Sequence, residues 1–140
     1  MIQAFIDARF FQRKGGGAAI IMQGKNYIHN KMFLAKGVSS NQAEIKAIEY
    51  ILKCIREKDY DQEIKILSTG RYATLMFEKA NGEYTRTPQT NVPLVAEVRK
   101  LCDKFSKISI EFNSEDVTII NLKSRVDHCI KEDLLFDERF

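Results

Sequence analysis

The chain has 140 residues, 44 % hydrophobic and 29 % charged. That suits one globular domain with enough apolar side chains to bury a core without staples, and it argues against disordered, fibrous and membrane-embedded classes. The formal net charge of +3 permits a polyanionic partner without requiring one.

The start, Met1-Ile-Gln-Ala-Phe-Ile-Asp7, has no basic n-region and meets an acid at once, unlike a secretory signal. No apolar run approaches the length of a membrane span. Cys54, Cys102 and Cys129 are scattered and show no C-x-x-C spacing. This predicts reduced thiols in a reducing, cytoplasmic compartment rather than a zinc site or a disulfide scaffold.

Residues 2–9 read as a strand, with Ile2, Ala4 and Ile6 on one face and Phe5 on the other. Apolar side chains on both faces predict a central strand. The glycines in Gln12-Arg-Lys-Gly-Gly-Gly17 predict a hairpin turn rather than a phosphate loop, because no helix follows them. Strands are predicted over 18–23 and 27–35, joined by Gly24-Lys-Asn26, which makes an antiparallel meander. Ser39-Ser-Asn41 then supplies N-cap candidates for a long helix over 42–58. A strand over 63–68 and a short helix over 72–79 follow. Asn81-Gly82 and Pro88 mark a loop. Asn91-Val-Pro93 opens a helix running to about residue 106, with the proline in its first turn. A last strand covers 108–112, and a final helix covers about 124–135. There is no internal repeat and no dividing linker, so residues 1–140 are expected to form a single domain. A meander followed by alternating strands and helices predicts an α/β fold, a five-stranded mixed sheet flanked by helices.

Three carboxylates sit where apolar side chains are expected. Asp7 interrupts Ala-Phe-Ile-Asp-Ala on the face of Phe5. Glu44 begins a helical stripe continued by Ile48, Ile51 and Ile55, and Asp127 shares a stripe with Ile130 and Leu134. Buried carboxylates are costly unless paired or bound to a cation, so three that converge on one face would form a metal site. Each also has a plainer role. Asp7 can end its strand and cap a turn, Glu44 can be the acid of a capping box, and Asp127 can pair with Arg125 or Lys131.

In this order of elements, the motifs resemble the ribonuclease H family over residues 2–131. Phe-Ile-Asp7 resembles the family's first-strand Asp. Ser39-Ser-Asn-Gln-Ala-Glu44 is similar to its Thr-Asn-Asn-x-x-Glu segment. Ile66-Leu-Ser-Thr-Gly70 resembles the strand that ends in Ser/Thr-Asp, and Arg125-Val-Asp127 resembles the final-helix Asp. Asn91-Val-Pro-Leu94 resembles the family's Asn-Val-Asp-Leu.

The resemblance implies a ribonuclease H-like fold and Mg²⁺- or Mn²⁺-dependent cleavage of the RNA strand of RNA–DNA hybrids by two-metal chemistry. Asp7, Glu44 and Asp127 would be the catalytic metal ligands. Asn41 would touch the RNA strand. Ser39 and Asn91 would seat a phosphate of the DNA strand, although helix capping accounts for both as well. Double-stranded RNA is a second candidate partner, and Arg9, Arg13 and Lys14 are candidate phosphate contacts.

Two departures bear on activity. Gly70 stands where the family has its third Asp, and Arg9 places a bulky cation beside the site. An acid restored at position 70 is expected to complete the cage. Two functions therefore compete: a ribonuclease H-type hydrolase impaired by one missing carboxylate, with weakly held metal, and a catalytically degenerate domain that binds nucleic acid or a protein. His128 follows Asp127 and is expected to be an ordinary histidine.

Overall fold

The computed structural model describes residues 1–11, 15–24, 27–35, 39–131 and 138–139, with side chains for 1–10, 16–24, 27 and 39–128. The expected turns at 12–14 and 25–26, with Arg13 and Lys14, lie outside the described residues. So do positions 132–135 of the expected last helix and the side chains of His29, Cys129, Ile130 and Leu134.

Strands β1 (Ile2–Phe11), β2 (Gly15–Gly24) and β3 (Tyr27–Ala35) form the meander, and α1 (Ser40–Cys54) leads to β4 (Glu63–Ser68). Helix α2 (Tyr72–Phe77) and a small hairpin, β5 (Lys79–Ala80) with β6 (Glu83–Tyr84), come next. Then follow α3 (Val92–Cys102), β7 (Lys107–Phe112), α4 (Val117–Lys131) and β8 (Glu138–Arg139). The main sheet runs β7-β4-β1-β2-β3-β8. It is mixed: β1–β2 and β2–β3 are antiparallel, while β1–β4, β4–β7 and β3–β8 are parallel. Among the described residues the sheet therefore has six strands instead of the expected five. The extra one, β8, is two residues long and carries no periodic pattern that a sequence reading could detect.

Alternation along β1 divides the interior in two. Ile2, Ala4 and Ile6 join Ile20, Ile64 and Ile66 beneath Ile45, Ile48 and Ile51 of α1 and Val95 and Val98 of α3. On the opposite face Phe5, Ala19 and Leu67 pack against Ile119, Leu122 and Val126 of α4. With β4 on one side and β2 on the other, β1 is central, as its two apolar faces predict.

Several boundaries differ from expectation for local reasons. Gly15, Gly16 and Gly17 lie within β2, opposite Phe11, Phe10 and Arg9. Helix α1 stops at Cys54 because Ile55 turns extended, and the phenol of Tyr27 then accepts the Arg56 backbone N–H at 3.0 Å. Asn81 and Gly82 both have positive φ, 53° and 81°, which is the backbone that a two-residue hairpin loop needs. Helix α4 starts at Val117 instead of Ser124, because the Asp116 carboxylate accepts the Thr118 N–H at 2.8 Å and caps it. Its β-branched opening, Val-Thr-Ile-Ile, hid that start.

Candidate functional site

Asp7 reaches the site from β1, on the α4 face with Phe5, and is 1 % exposed. Thr69 donates from Oγ1 to Asp7 Oδ1 at 2.8 Å. Thr69 is held there because its backbone N–H donates to the Ile6 carbonyl at 3.0 Å, carrying the β1–β4 pairing one residue past the strand. The partner of the buried Asp7 Oδ2 among the described residues is the Arg9 guanidinium, which faces it as an ion pair at 2.9 Å.

Arg9 lies two residues beyond Asp7, hence on the same face, and pairs across β1–β2 with Gly17, which has no side chain there. It also donates to Asp127 Oδ1 on α4. Burial works to lower the Arg9 pKa; the hydrogen bonds and charges of Asp127 and Asp7 outweigh it, and the pKa is raised.

Glu44 reaches the site from the other side of the sheet. It is 2 % exposed and stands on α1 above Ser68, whose Oγ donates to Oε2 at 2.8 Å. Its Oε1 accepts the Ala73 N–H at 2.5 Å. Helix α2 has Arg71 at its N-cap with no side-chain cap bond, so a carboxylate from α1 serves in its place. Desolvation raises the Glu44 pKa, against the lowering effect of the Ser68 and Ala73 bonds. A Cβ placed on Gly70 would lie 1.9 Å from Oε2 and 2.8 Å from Cδ of Glu44.

The three carboxylates therefore do not share one face. Asp7 and Asp127 meet Arg9 on the α4 side, while Glu44 meets Ser68 and Ala73 on the α1 side. Consecutive residues Ser68 and Thr69 hold the two buried acids from opposite faces of one strand end. Glu44 is also not a capping-box acid: Ser39 accepts from the Gln42 N–H at 3.1 Å, and the first turn holds no acid. Asp127 does not lie on the buried stripe, since its side chain is 64 % exposed. It follows Val126, which is fully buried, and one residue turns it well away from that face. Its described partner is Arg9, and the side chain of Lys131 lies outside the described residues.

Among the described residues no three His, Cys, Asp or Glu side chains are placed to hold a metal ion together. The side chains present do not fit the two-ion site implied by the resemblance. A guanidinium covers Asp7, both Glu44 oxygens are spent on protein donors, and position 70 has no ligand atom.

The polar residues expected at nucleic acid lie near the N-termini of α1 and α3. Ser39 uses its hydroxyl to cap α1. Asn41 is exposed in the first turn. Asn91 has φ of 56° and makes no side-chain cap bond, so capping does not use its amide. Arg71, missed by the sequence reading, is exposed directly after Gly70, with its guanidinium 4.3 Å over the ring of Phe112. The signal was available: a cation following the glycine at the carboxyl end of a strand. His128 is exposed, as an ordinary surface histidine would be. A groove of about 910 Å³ lies elsewhere, between the β5–β6 hairpin, the end of α3 and β7, and contains none of these residues.

The backbone arrangement matches a solved structure of LC11-RNase H1 in complex with an RNA/DNA hybrid, with a TM-score of 0.67 over 93 % of this chain and 99 % of that one. The fold is ribonuclease H-like. Sequence identity is 14 %, so this likeness carries the ribonuclease H-like architecture and not the roles of residues. No protein-family model and no curated protein sequence matches the chain. No helix among the described residues of this ribonuclease H-like domain is long and apolar enough to cross a membrane.

Proposed function

We propose that this ribonuclease H-like domain binds nucleic acid, RNA–DNA hybrid or double-stranded RNA, without cleaving it by two-metal chemistry. One observation carries the reading. The space in front of Gly70, where the family's third acid would stand, is filled by the Glu44 carboxylate, and that carboxylate is bonded to Ser68 and Ala73. The acid that should serve a metal holds the β4–α2 turn instead.

The fold supports the binding half of the proposal, since its solved likeness was captured with an RNA/DNA hybrid. Recognition would rest on this chain's polar side chains. The Asn41 amide can both donate to and accept from a 2′-hydroxyl, the group that separates RNA from DNA. Ser39 and Asn91 would seat a phosphate, and Arg71 would add a charge contact at the same end of the sheet. Contacts of this kind release counterions, so affinity would fall as salt rises.

Fluorescence-anisotropy titrations of hybrid, double-stranded RNA and duplex DNA at several salt concentrations test the reading. The expected result is salt-sensitive binding, tighter for the two RNA-containing duplexes. Coincident curves for all three would reject the preference, and no binding at low salt would reject the function.

A further inference from the structure

The pair Asp7 and Asp127 has a positive charge supplied by the chain itself. Asp7 is 1 % exposed, and among the described residues its buried Oδ2 is met by the Arg9 guanidinium alone. A carboxylate in that position needs a counter-charge. Either a bound divalent ion or a fixed guanidinium would supply it. Here Arg9 stands 2.9 Å from Oδ2 and spans to Asp127 on α4.

We propose that Arg9 is the resident cation of these two carboxylates and that it closes a latent divalent-cation site. The chain as it stands takes no Mg²⁺ or Mn²⁺ at Asp7, and the same chain without the guanidinium does. The register makes this arrangement durable. Arg9 shares a face with Asp7 and lies opposite Gly17, so no side chain of β2 competes for the space. A guanidinium is permanently charged, and its planar fork offers separate N–H groups to two carboxylates at once. Removing it leaves two acids, one of them desolvated, facing a gap between β1 and α4. Clustered carboxylate charge of that kind is what hard divalent cations bind. The inference concerns the protein without nucleic acid and does not depend on the proposed binding function.

The test is Mn²⁺ uptake by the full chain, read from the EPR signal of free Mn²⁺, with melting followed in the presence and absence of the ion. Wild type should take up no Mn²⁺ and show an unmoved Tm. Arg9→Ala should melt lower in metal-free buffer and regain Tm with Mn²⁺. It should bind the ion at least about tenfold more tightly than wild type, as added ligand charge implies. Adding Asp7→Asn to that variant should abolish the uptake. Arg9→Gln keeps more of the side chain's packing and should repeat the gain, which covers a failure of Arg9→Ala to fold. Arg9→Lys keeps the charge and should stay indifferent to Mn²⁺. Uptake by wild type that Asp7→Asn removes would overturn the proposal, as would folded Arg9→Ala and Arg9→Gln chains that bind no Mn²⁺.

Discussion

A Cβ on Gly70 would stand 1.9 Å from Oε2 of Glu44. Glycine is therefore required here for space, since no positive φ is recorded at this position. The obstructing atom is the end of a flexible side chain, so a larger residue can be admitted, but only by moving Glu44 away from Ser68 and Ala73. Gly70→Ala is expected to cost about 1–3 kcal/mol, as overpacking does. Most of that cost should vanish in a Glu44→Ala background, where nothing obstructs the methyl group. A double-mutant cycle by urea denaturation measures the coupling. Gly70→Asp should evict Glu44 rather than complete a cage with it, so it should melt lower and gain no Mg²⁺ binding.

Glu44 also makes stability depend on pH. Burial raises its pKa above the ordinary 4.5. A carboxyl group with a raised folded pKa contributes most below its unfolded pKa, and that contribution is lost as pH rises through the folded value. Glu44→Gln keeps an oxygen for the Ala73 N–H and an amide group toward Ser68, without a charge to desolvate. The variant should therefore lose this downward step in stability above pH 4.5 and melt at least as high as wild type at neutral pH. Tm profiles of the two proteins that fall in parallel through that range would show that Glu44 is not the responsible group.

Ser68→Ala removes a hydroxyl that serves two groups: it donates to Glu44 Oε2 and accepts the Gly70 N–H at 3.2 Å. Ser68 is fully buried, so water does not readily replace it. The expected loss is about 1–3 kcal/mol in chemical denaturation. Nucleic-acid affinity of the folded variant should be unchanged, because this side chain faces inward.

Much of the fold is legible in the chain because its elements obey simple periods. Ile48 and Ile51 mark the buried side of α1, and the two apolar faces of 2–9 mark β1 as central. What stays hidden depends on contacts between distant segments. The end of α1 is governed by Tyr27, some thirty positions earlier in the sequence. The arrangement of the candidate site is hidden in the same way. The position of Asp7 on an apolar face announces a buried acid and the i, i+2 spacing puts Arg9 beside it, but nothing local reveals that the same guanidinium reaches Asp127 on α4, or that Ser68 and Ala73 occupy Glu44. Asp127 misled for a further reason: it stands one residue past Val126, which with Ile119 and Leu122 forms the described buried face of α4, and the side chains of its apparent stripe partners, Ile130 and Leu134, lie outside the described residues.

Arg71 offers a test of binding that is separate from folding. It is exposed, and its recorded contact is with a partly exposed ring, Phe112. Arg71→Ala should change stability by no more than about 0.5 kcal/mol, as surface substitutions usually do. If Arg71 contacts a phosphate, the variant should weaken hybrid binding and reduce the slope of log affinity against log salt by roughly one. Melting and anisotropy titrations, run on the same preparations, separate the two effects.

The proposed function has this ribonuclease H-like domain grip nucleic acid while Asp7 and Glu44, the acids that the family resemblance assigns to metal, do structural work. The most direct test is to mix excess wild-type protein with an end-labelled RNA–DNA hybrid, in Mg²⁺ and separately in Mn²⁺. Each mixture is followed by anisotropy and then by denaturing gel. A bound hybrid whose RNA strand stays intact in both ions is the expected result. Metal-dependent cleavage of the RNA strand by wild type, abolished by Asp7→Asn, would contradict it.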